Sequence, residues 1–165
     1  MAKLDDFDLR LLDLLQADAL ATAEELARHV PLSPSAVTRR VRRLRAEGWI
    51  AADVAVPAPG LTAGRLRALV RVQVHEHAEE RGIAALRAKL AGTPEVQMLL
   101  DVAGADDLAV LICARDMDDY NALTDRLLER DPAVRRYETS FVKRVHKQSS
   151  AVALAAAGTG GTSPT

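Results

Sequence analysis

Residues 31–50 constrain the fold and the function of this chain more than any other segment. Their sequence is PLSPSAVTRRVRRLRAEGWI. On a helix of about 100° per residue, Val37, Val41 and Leu44 form one apolar stripe that is suited to packing. The opposite face is basic and rich in hydrogen-bond donors: Ser35, Arg39, Arg42 and Arg43, with Ala36 and Thr38 at its flanks. Five arginines and no acid lie between Val37 and Ala46. Nucleic-acid phosphate would neutralise such a face, whereas an ordinary solvated basic face is the alternative.

The segment carries its own start and stop signals for a helix. Ser33 can cap the helix, Pro34 suits the first helical position, and Gly48 suits a left-handed end. Two earlier helices are predicted, one over residues 5–17 and one that begins at Thr22. Their predicted capping boxes pair Asp5 with Asp8 and Thr22 with Glu25. Three helices with a short break before the third predict a helix-turn-helix unit.

In such a unit the third helix enters the major groove of duplex DNA with its first turns. Four side chains are expected to reach base edges: Ser35, Thr38, Arg39 and Arg42. Three more are expected to contact phosphates or to brace the helix: Arg40, Arg43 and Arg45. Ser33 and Ala36, at the helix start, complete the predicted DNA-binding set. Residues 49–56 are predicted to form a short strand, which gives a winged type of helix-turn-helix.

The periodicity changes after a linker rich in proline and glycine. Strands and helices then follow in the order strand, helix, strand, strand, helix, strand. They cover residues 66–74, 78–91, 96–102, 108–115, a helix from 116 or 118 to 131, and 134–145. This order predicts a ferredoxin-like βαββαβ domain with two helices on one face of an antiparallel sheet, and an α+β fold class for the chain. The predicted domains are residues 1–56, a linker over 57–66, the second domain over 67–147 and a flexible tail over 148–165.

The sheet of the second domain is expected to leave one face uncovered by helices. Leu69, Leu99, Leu111 and Phe141 are predicted on that face, and apolar surface of this kind usually marks an interface. A homodimer through the sheet would present two helix-turn-helix units to a palindromic operator.

Composition restricts the classes of protein to which the chain can belong. The net charge is −1, so affinity for nucleic acid has to come from the local arginine cluster. No apolar run reaches the roughly 20 residues of a membrane span, and the acidic N-terminus is unlike a signal peptide. Cys113 is the one cysteine; it lies in an apolar run and is predicted to be a buried, inert thiol. These features predict a cytoplasmic protein with no cofactor.

In order and spacing, these motifs resemble the Lrp/AsnC (feast/famine) family of transcriptional regulators. The resemblance covers residues 4–147 and rests on five segments: LDxxDxxLLxxL from Leu4, LSPS from Leu32, RRLxxxGxI from Arg42, GxxD from Gly104 and TSFV from Thr139. It implies a non-enzymatic regulator that dimerises, often assembles into an octamer, and binds small effectors, commonly amino acids.

The resemblance also implies an effector site at the loop of residues 104–107. The backbone at Gly104 would approach an α-carboxylate, and Asp107, or Asp106 beside it, would pair with an α-ammonium. Thr139 and Ser140 could add hydroxyl contacts, while Met98 and Leu100 could line the side-chain slot. An ordinary turn between two strands is the alternative.

The sequence departs from the family pattern at two places. Pro31 stands where the family usually has a glycine before the recognition helix, so the turn cannot use a positive φ at that position. Ala103 and Leu108 stand where the family often has a threonine and an aromatic residue. These two replacements predict a smaller or less polar effector pocket.

Three other functions compete with the regulator. His75 and His77 could bind a metal from one strand face, but two ligands do not make a site. Sirohaem decarboxylases look like this fold, although a tetrapyrrole enzyme has no need for five arginines on the third helix. A stand-alone amino-acid-binding module usually lacks the helix-turn-helix.

Overall fold

The computed structural model describes residues 3–75 and 80–155. The chain divides into two units: the first runs to Val56 and also includes the segment from Lys147 onwards, and the second runs from Pro57 to His146. Each unit is built around a hydrophobic cluster of its own.

The first unit contains the predicted helix-turn-helix. Its helices are α1 (Asp6–Ala17), α2 (Ala23–Ala27) and α3 (Pro34–Ala46). Both predicted capping boxes are present, at Asp5 and at Thr22, and the Ser33 side chain accepts a hydrogen bond from the Ala36 amide. Side chains therefore satisfy amides that would otherwise lack a partner at each helix start.

An aliphatic core holds these three helices together. Its buried members are Leu11, Leu15, Leu26, Val30, Val37 and Val41. Gly48 ends α3 with a φ of 76°. The amides of Gly48 and Trp49 donate to the carbonyls of Arg45 and Leu44, which is the Schellman pattern of a helix end.

The short strand predicted over residues 49–56 is wrong. Residues 51–56 have no regular structure, and Val54 and Val56 are exposed. A strand needs a partner for its backbone groups, and the four-stranded sheet consists of other segments. The helix-turn-helix therefore has no wing strand among the residues described.

The second unit has the predicted ferredoxin-like order. Its elements are α4 (Pro59–Thr62), β1 (Leu66–Val74), α5 (Glu80–Ala91), β2 (Val96–Asp101), β3 (Leu108–Ala114), α6 (Met117–Thr124), a π-helical turn (Asp125–Glu129) and β4 (Val134–Phe141). The strands form one antiparallel sheet in the order β2-β3-β1-β4. The linker contains the short helix α4, and the predicted start of α5 lies outside the described residues.

Each strand has an inner face, which packs on the core, and an outer face. On β1 the inner residues Ala68, Val70 and Val72 are fully buried. Leu69 and Leu111, predicted on the outer face, pair with each other there. Cys113 also lies on the outer face and is partly exposed, so its predicted burial is wrong.

Two other predictions about the outer face are wrong. Leu99 pairs with the buried Val110 and packs against the core. Phe141 pairs with the buried Ala68, and its ring meets the ring of Tyr120 edge-on at 5.2 Å. Directly opposed residues share a face, so Leu99 and Phe141 belong to the inner side.

The chain after Lys147, which is predicted to be a flexible tail, is described as far as Ala155. Residues 149–155 form no helix or strand, yet the backbone of Val152, Leu154 and Ala155 is hydrogen-bonded to side chains of α1. Residues 156–165 lie outside the described part of the chain.

Candidate DNA interface and effector loop

The exposed face of α3 presents two arginines that make no ion pair with any carboxylate in the described part of the chain. Ser35, Arg39 and Arg42 are exposed, on the side opposite Val37 and Leu44. Neither Arg39 nor Arg42 has an ion-pair partner within residues 3–75 and 80–155. These two guanidinium groups can therefore meet phosphate or base edges without first breaking an internal bond.

Arg40 and Arg43 instead face α1, where they meet a buried carboxylate. Arg40 Nη1 lies 2.7 Å from Asp5 Oδ2 and 2.8 Å from Asp8 Oδ1. Arg43 Nη2 lies 2.5 Å from Asp8 Oδ2, and the Asp8 side chain is only 1% exposed. The Arg40 guanidinium also sits 5.6 Å from the centre of the Phe7 ring. Arg40 and Arg43 are predicted either to contact phosphates or to brace the helix. The contacts with Asp5 and Asp8 brace the helix.

The ionisation of these groups follows from their contacts. Burial raises the pKa of Asp5, but hydrogen bonds from the Asp8 amide and the Arg40 guanidinium outweigh it, so the net pKa is lowered. Hydrogen bonds to Asp5 and then to Asp8 raise the pKa of Arg40. Asp5 and Arg40 are therefore both charged throughout the neutral range.

The remaining predicted DNA contacts lie at the flanks of α3. Arg45 Nη2 is 3.1 Å from Asp53 Oδ2, in an ion pair whose two side chains are each 42% exposed. The Thr38 hydroxyl donates to the Pro34 carbonyl, and the hydroxyl oxygens of Ser33 and Ser35 lie 3.1 Å apart. Ala36 is half-buried. Exposed ion pairs are weak, so Arg45 could exchange Asp53 for phosphate.

In the second unit, the loop between β2 and β3 spans residues 102–107 and contains Gly104, whose φ is 142°. Asp107 after it is held in place: its Oδ2 accepts from the Val74 amide at 2.8 Å, and its own amide donates to the Val72 carbonyl at 2.9 Å. Asp107 therefore ties the loop to β1, a structural role that is not visible in the sequence.

Asp106 faces a polar group of side chains on the outer face of the sheet. Its Oδ1 accepts from Gln73 Nε2 at 3.3 Å, and its Oδ2 lies 3.8 Å from Arg71 Nε. Arg71 also pairs with Glu138 at 2.8 Å. This group holds positive charge at Arg71 and negative charge at Asp106 and Glu138, all beside the loop. These groups could bind the carboxylate and the ammonium of a zwitterion.

The four strand residues predicted around an effector do not share a face. Met98 and Leu100 lie on the outer face and are 51% and 47% exposed, and Ser140 is also outer because it pairs with Leu69. Thr139 is inner, and its hydroxyl lies 2.5 Å from the Tyr120 hydroxyl. Successive strand residues point to opposite sides, so Thr139 and Ser140 lie on opposite faces of the sheet.

Comparisons with known proteins agree with this arrangement. The profile of the AsnC-type helix-turn-helix domain matches residues 4–45, and that of the Lrp/AsnC ligand-binding domain matches residues 67–152. The chain belongs to the Lrp/AsnC family. It is a DNA-binding transcriptional regulator with a ligand-binding domain.

Relatives and solved structures match most of the chain. The transcriptional regulatory protein DoeX of Halomonas elongata is 34% identical over 149 residues, covering 90% of this chain and 94% of its own. The glutamate uptake regulatory protein of Zymomonas mobilis is 34% identical over 128 residues, covering 78% and 77%. The crystal structure of a Neisseria meningitidis transcriptional regulator in complex with L-Met superimposes with a TM-score of 0.80 at 25% identity, covering 91% and 96%.

These matches do not favour the tetrapyrrole enzyme, because the matched helix-turn-helix is that of DNA-binding regulators. Of the suggested metal ligands, His77 lies outside the described residues, which hold no group of three or more potential metal ligands. No helix in the described ranges is long and apolar enough to cross a membrane.

Sequence reasoning missed the partnership of Asp8 with Arg40 and Arg43. The sequence does show an excess of arginine on α3 and of aspartate at the start of α1, which would have indicated such a pairing. Only the packing of α1 on α3 brings the two charges together, and the capping box had already given Asp8 a local role.

Proposed function

We propose that Ser35, Arg39 and Arg42 form the centre of the DNA-reading surface of this Lrp/AsnC regulator. The observation that carries the proposal is that Arg39 and Arg42 are exposed and make no ion pair in the described ranges, whereas Asp8 already binds Arg40 and Arg43. Thr38 and Arg45 flank this surface. The regulator would act in the cytoplasm, where its operator lies, and without catalysing a reaction.

Selection of genomic fragments by the purified protein would first define a cognate site. Arg39→Ala should then weaken binding to that site by about 1–3 kcal/mol and relax the base preference at one position. Arg115→Ala is the matched control, because Arg115 is an exposed arginine of the other unit. Cognate binding by Arg39→Ala with wild-type affinity and selectivity would contradict the proposal.

For the ligand-binding domain we propose an amino-acid effector at the loop of residues 104–107. The L-Met complex of the Neisseria regulator and the name of the Zymomonas regulator support this class of ligand. Asp106 is the better partner for an α-ammonium, because Asp107 already accepts the Val74 amide. Amides beside Gly104 would bind the carboxylate, and Ser140, Met98 and Leu100 share the outer face.

Calorimetry of the wild-type protein against the twenty amino acids tests this site. Asp106→Asn should weaken binding of the preferred amino acid at least about tenfold, because the charge partner is lost. Asp101→Asn, at an exposed carboxylate on β2 that pairs with Arg87, is the control. If the wild-type protein binds none of the twenty, the loop is a turn between strands.

We also propose that two copies associate through the outer face of the sheet. Leu69, Met98 and Leu100 leave apolar surface exposed there, and a symmetric dimer would present two α3 helices to a palindromic operator. Assembly of dimers into an octamer rests on the family resemblance.

A further inference from the structure

The segment of residues 152–155 is held by two side chains of α1. Gln16 makes a two-point contact: its Nε2 donates to the Val152 carbonyl at 2.9 Å, and its Oε1 accepts from the Val152 amide at 2.8 Å. Asp13 accepts two further amides, from Leu154 at 2.8 Å and from Ala155 at 2.9 Å. Four hydrogen bonds thus join this segment, which forms no helix or strand, to one helix.

The chemistry of this pair suits a peptide backbone. A glutamine side chain carries one donor and one acceptor on an amide, so it can pair with a peptide group as a neighbouring strand does. A carboxylate that accepts backbone amides forms charge-assisted bonds, which are stronger than neutral ones. Asp13 and Gln16 are three residues apart, so they lie on one face of α1.

We propose that Asp13 and Gln16 form a backbone-binding site on α1 whose ligand is the chain's own C-terminal segment. Residues 147–155 are then a structural part of the DNA-binding unit. The profile of the ligand-binding domain ends at residue 152, so the two amides bound by Asp13 lie beyond the part that matches the family. The site recognises a peptide mainly through its backbone.

Amide hydrogen exchange of the full chain, resolved by residue, tests the site. The amides of Val152, Leu154 and Ala155 should exchange at least about tenfold more slowly than unprotected amides, since each is hydrogen-bonded. Gln16→Ala should remove the protection of Val152, whereas Asp13→Ala should remove that of Leu154 and Ala155. Asp6→Ala, at an exposed carboxylate elsewhere on α1, should change none of them.

Loss of protection at these amides alone differs from general unfolding, because the amides of α1 should stay protected in all three variants. Exchange of the three amides at unprotected rates in the wild-type chain would overturn the proposal. Protection that survives both Asp13→Ala and Gln16→Ala would overturn it as well. Protection that falls on dilution would show that a second copy supplies the segment, which would overturn the assignment to the same chain.

Discussion

The Asp8 carboxylate on α1 accepts a hydrogen bond from the Arg43 guanidinium on α3, with 2.5 Å between Oδ2 and Nη2. Its other oxygen accepts from Arg40 at 2.8 Å. A carboxylate that is almost fully buried thus joins the first helix to the recognition helix. Two of the five arginines of that helix serve the fold of the unit, and the charge that faces outward is correspondingly smaller.

Asp8→Asn should destabilise the helix-turn-helix by about 1–3 kcal/mol, because two hydrogen bonds to charged groups are weakened in a buried place. Trp49 is the one tryptophan of the chain and lies in this unit, so its fluorescence during urea unfolding reports the change. Asp6→Asn, at an exposed carboxylate of the same helix, should change the free energy of unfolding far less. Equal effects of the two variants would contradict the role of Asp8.

Arg42→Ala and Arg43→Ala should affect DNA binding differently. Arg42 is free to meet phosphate, so its loss should reduce the slope of log K against log salt by about one. Arg43 is held by Asp8, so Arg43→Ala should leave that slope near its wild-type value and lower the stability of the unit. An equal loss of slope in both variants would mean that Arg43 leaves Asp8 when DNA binds.

Leu69→Asp should convert the expected dimer into a monomer. A charge at the centre of the outer face would be desolvated in the interface, which should raise the dissociation constant at least about tenfold. Sedimentation of the full chain measures the change. Leu20→Asp is the control, because Leu20 is 90% exposed in the other unit. A dimer that persists in Leu69→Asp would place the interface elsewhere.

Ser140→Ala and Thr139→Val should separate the two faces of β4. Ser140 shares the outer face with the proposed effector site, so its replacement should weaken binding of the preferred amino acid. Thr139 bonds to Tyr120 on the inner face, so Thr139→Val should lower stability and leave ligand affinity unchanged. Calorimetry and thermal unfolding of both variants test this, and weaker ligand binding by Thr139→Val alone would contradict the assignment.

Tyr137 should ionise late in an alkaline titration. Burial, and then the hydrogen bond that its hydroxyl donates to Glu129 at 2.6 Å, raises the pKa of Tyr137 from 10.0 to about 12. The resulting stability is fully present below pH 10 and is lost as the pH rises through about 12, because the unfolded chain ionises first. Ultraviolet absorbance of tyrosinate in the Tyr120→Phe background follows Tyr137 alone. Glu129→Gln should move its titration to lower pH, and an unchanged titration would contradict the role of Glu129.

Local signals predicted the elements well. Asp5, Thr22 and Ser33 cap the three helices as expected, since capping depends on residues three positions apart. The alternation in β1 also predicted its buried face correctly. Such features depend on residues that are close together in the sequence, so they can be predicted from one sequence.

The faces of β2 and β4 were harder to predict, because the register shifts in both. Gln97 is an extra residue in β2, between the pairs made by Val96 and Met98, and Arg135 is an extra residue in β4. Each bulge reverses the expected alternation, which explains the misplacement of Leu99 and Phe141. The bond between Asp8 and Arg43 was equally hidden, because its partners are 35 residues apart.

The π-helical turn after α6 has a consequence for how the sequence can change. The Arg130 amide reaches back five residues to the Asp125 carbonyl, so this turn holds one residue more than an α-helical turn. Deletion of an exposed residue there, such as Arg126, could restore an ordinary helix without rotating the residues that follow the turn relative to Tyr120 and Leu123. The same deletion inside α6 would turn every later side chain by about 100°. The wide turn is therefore the place in this helical layer where chain length can vary at least cost.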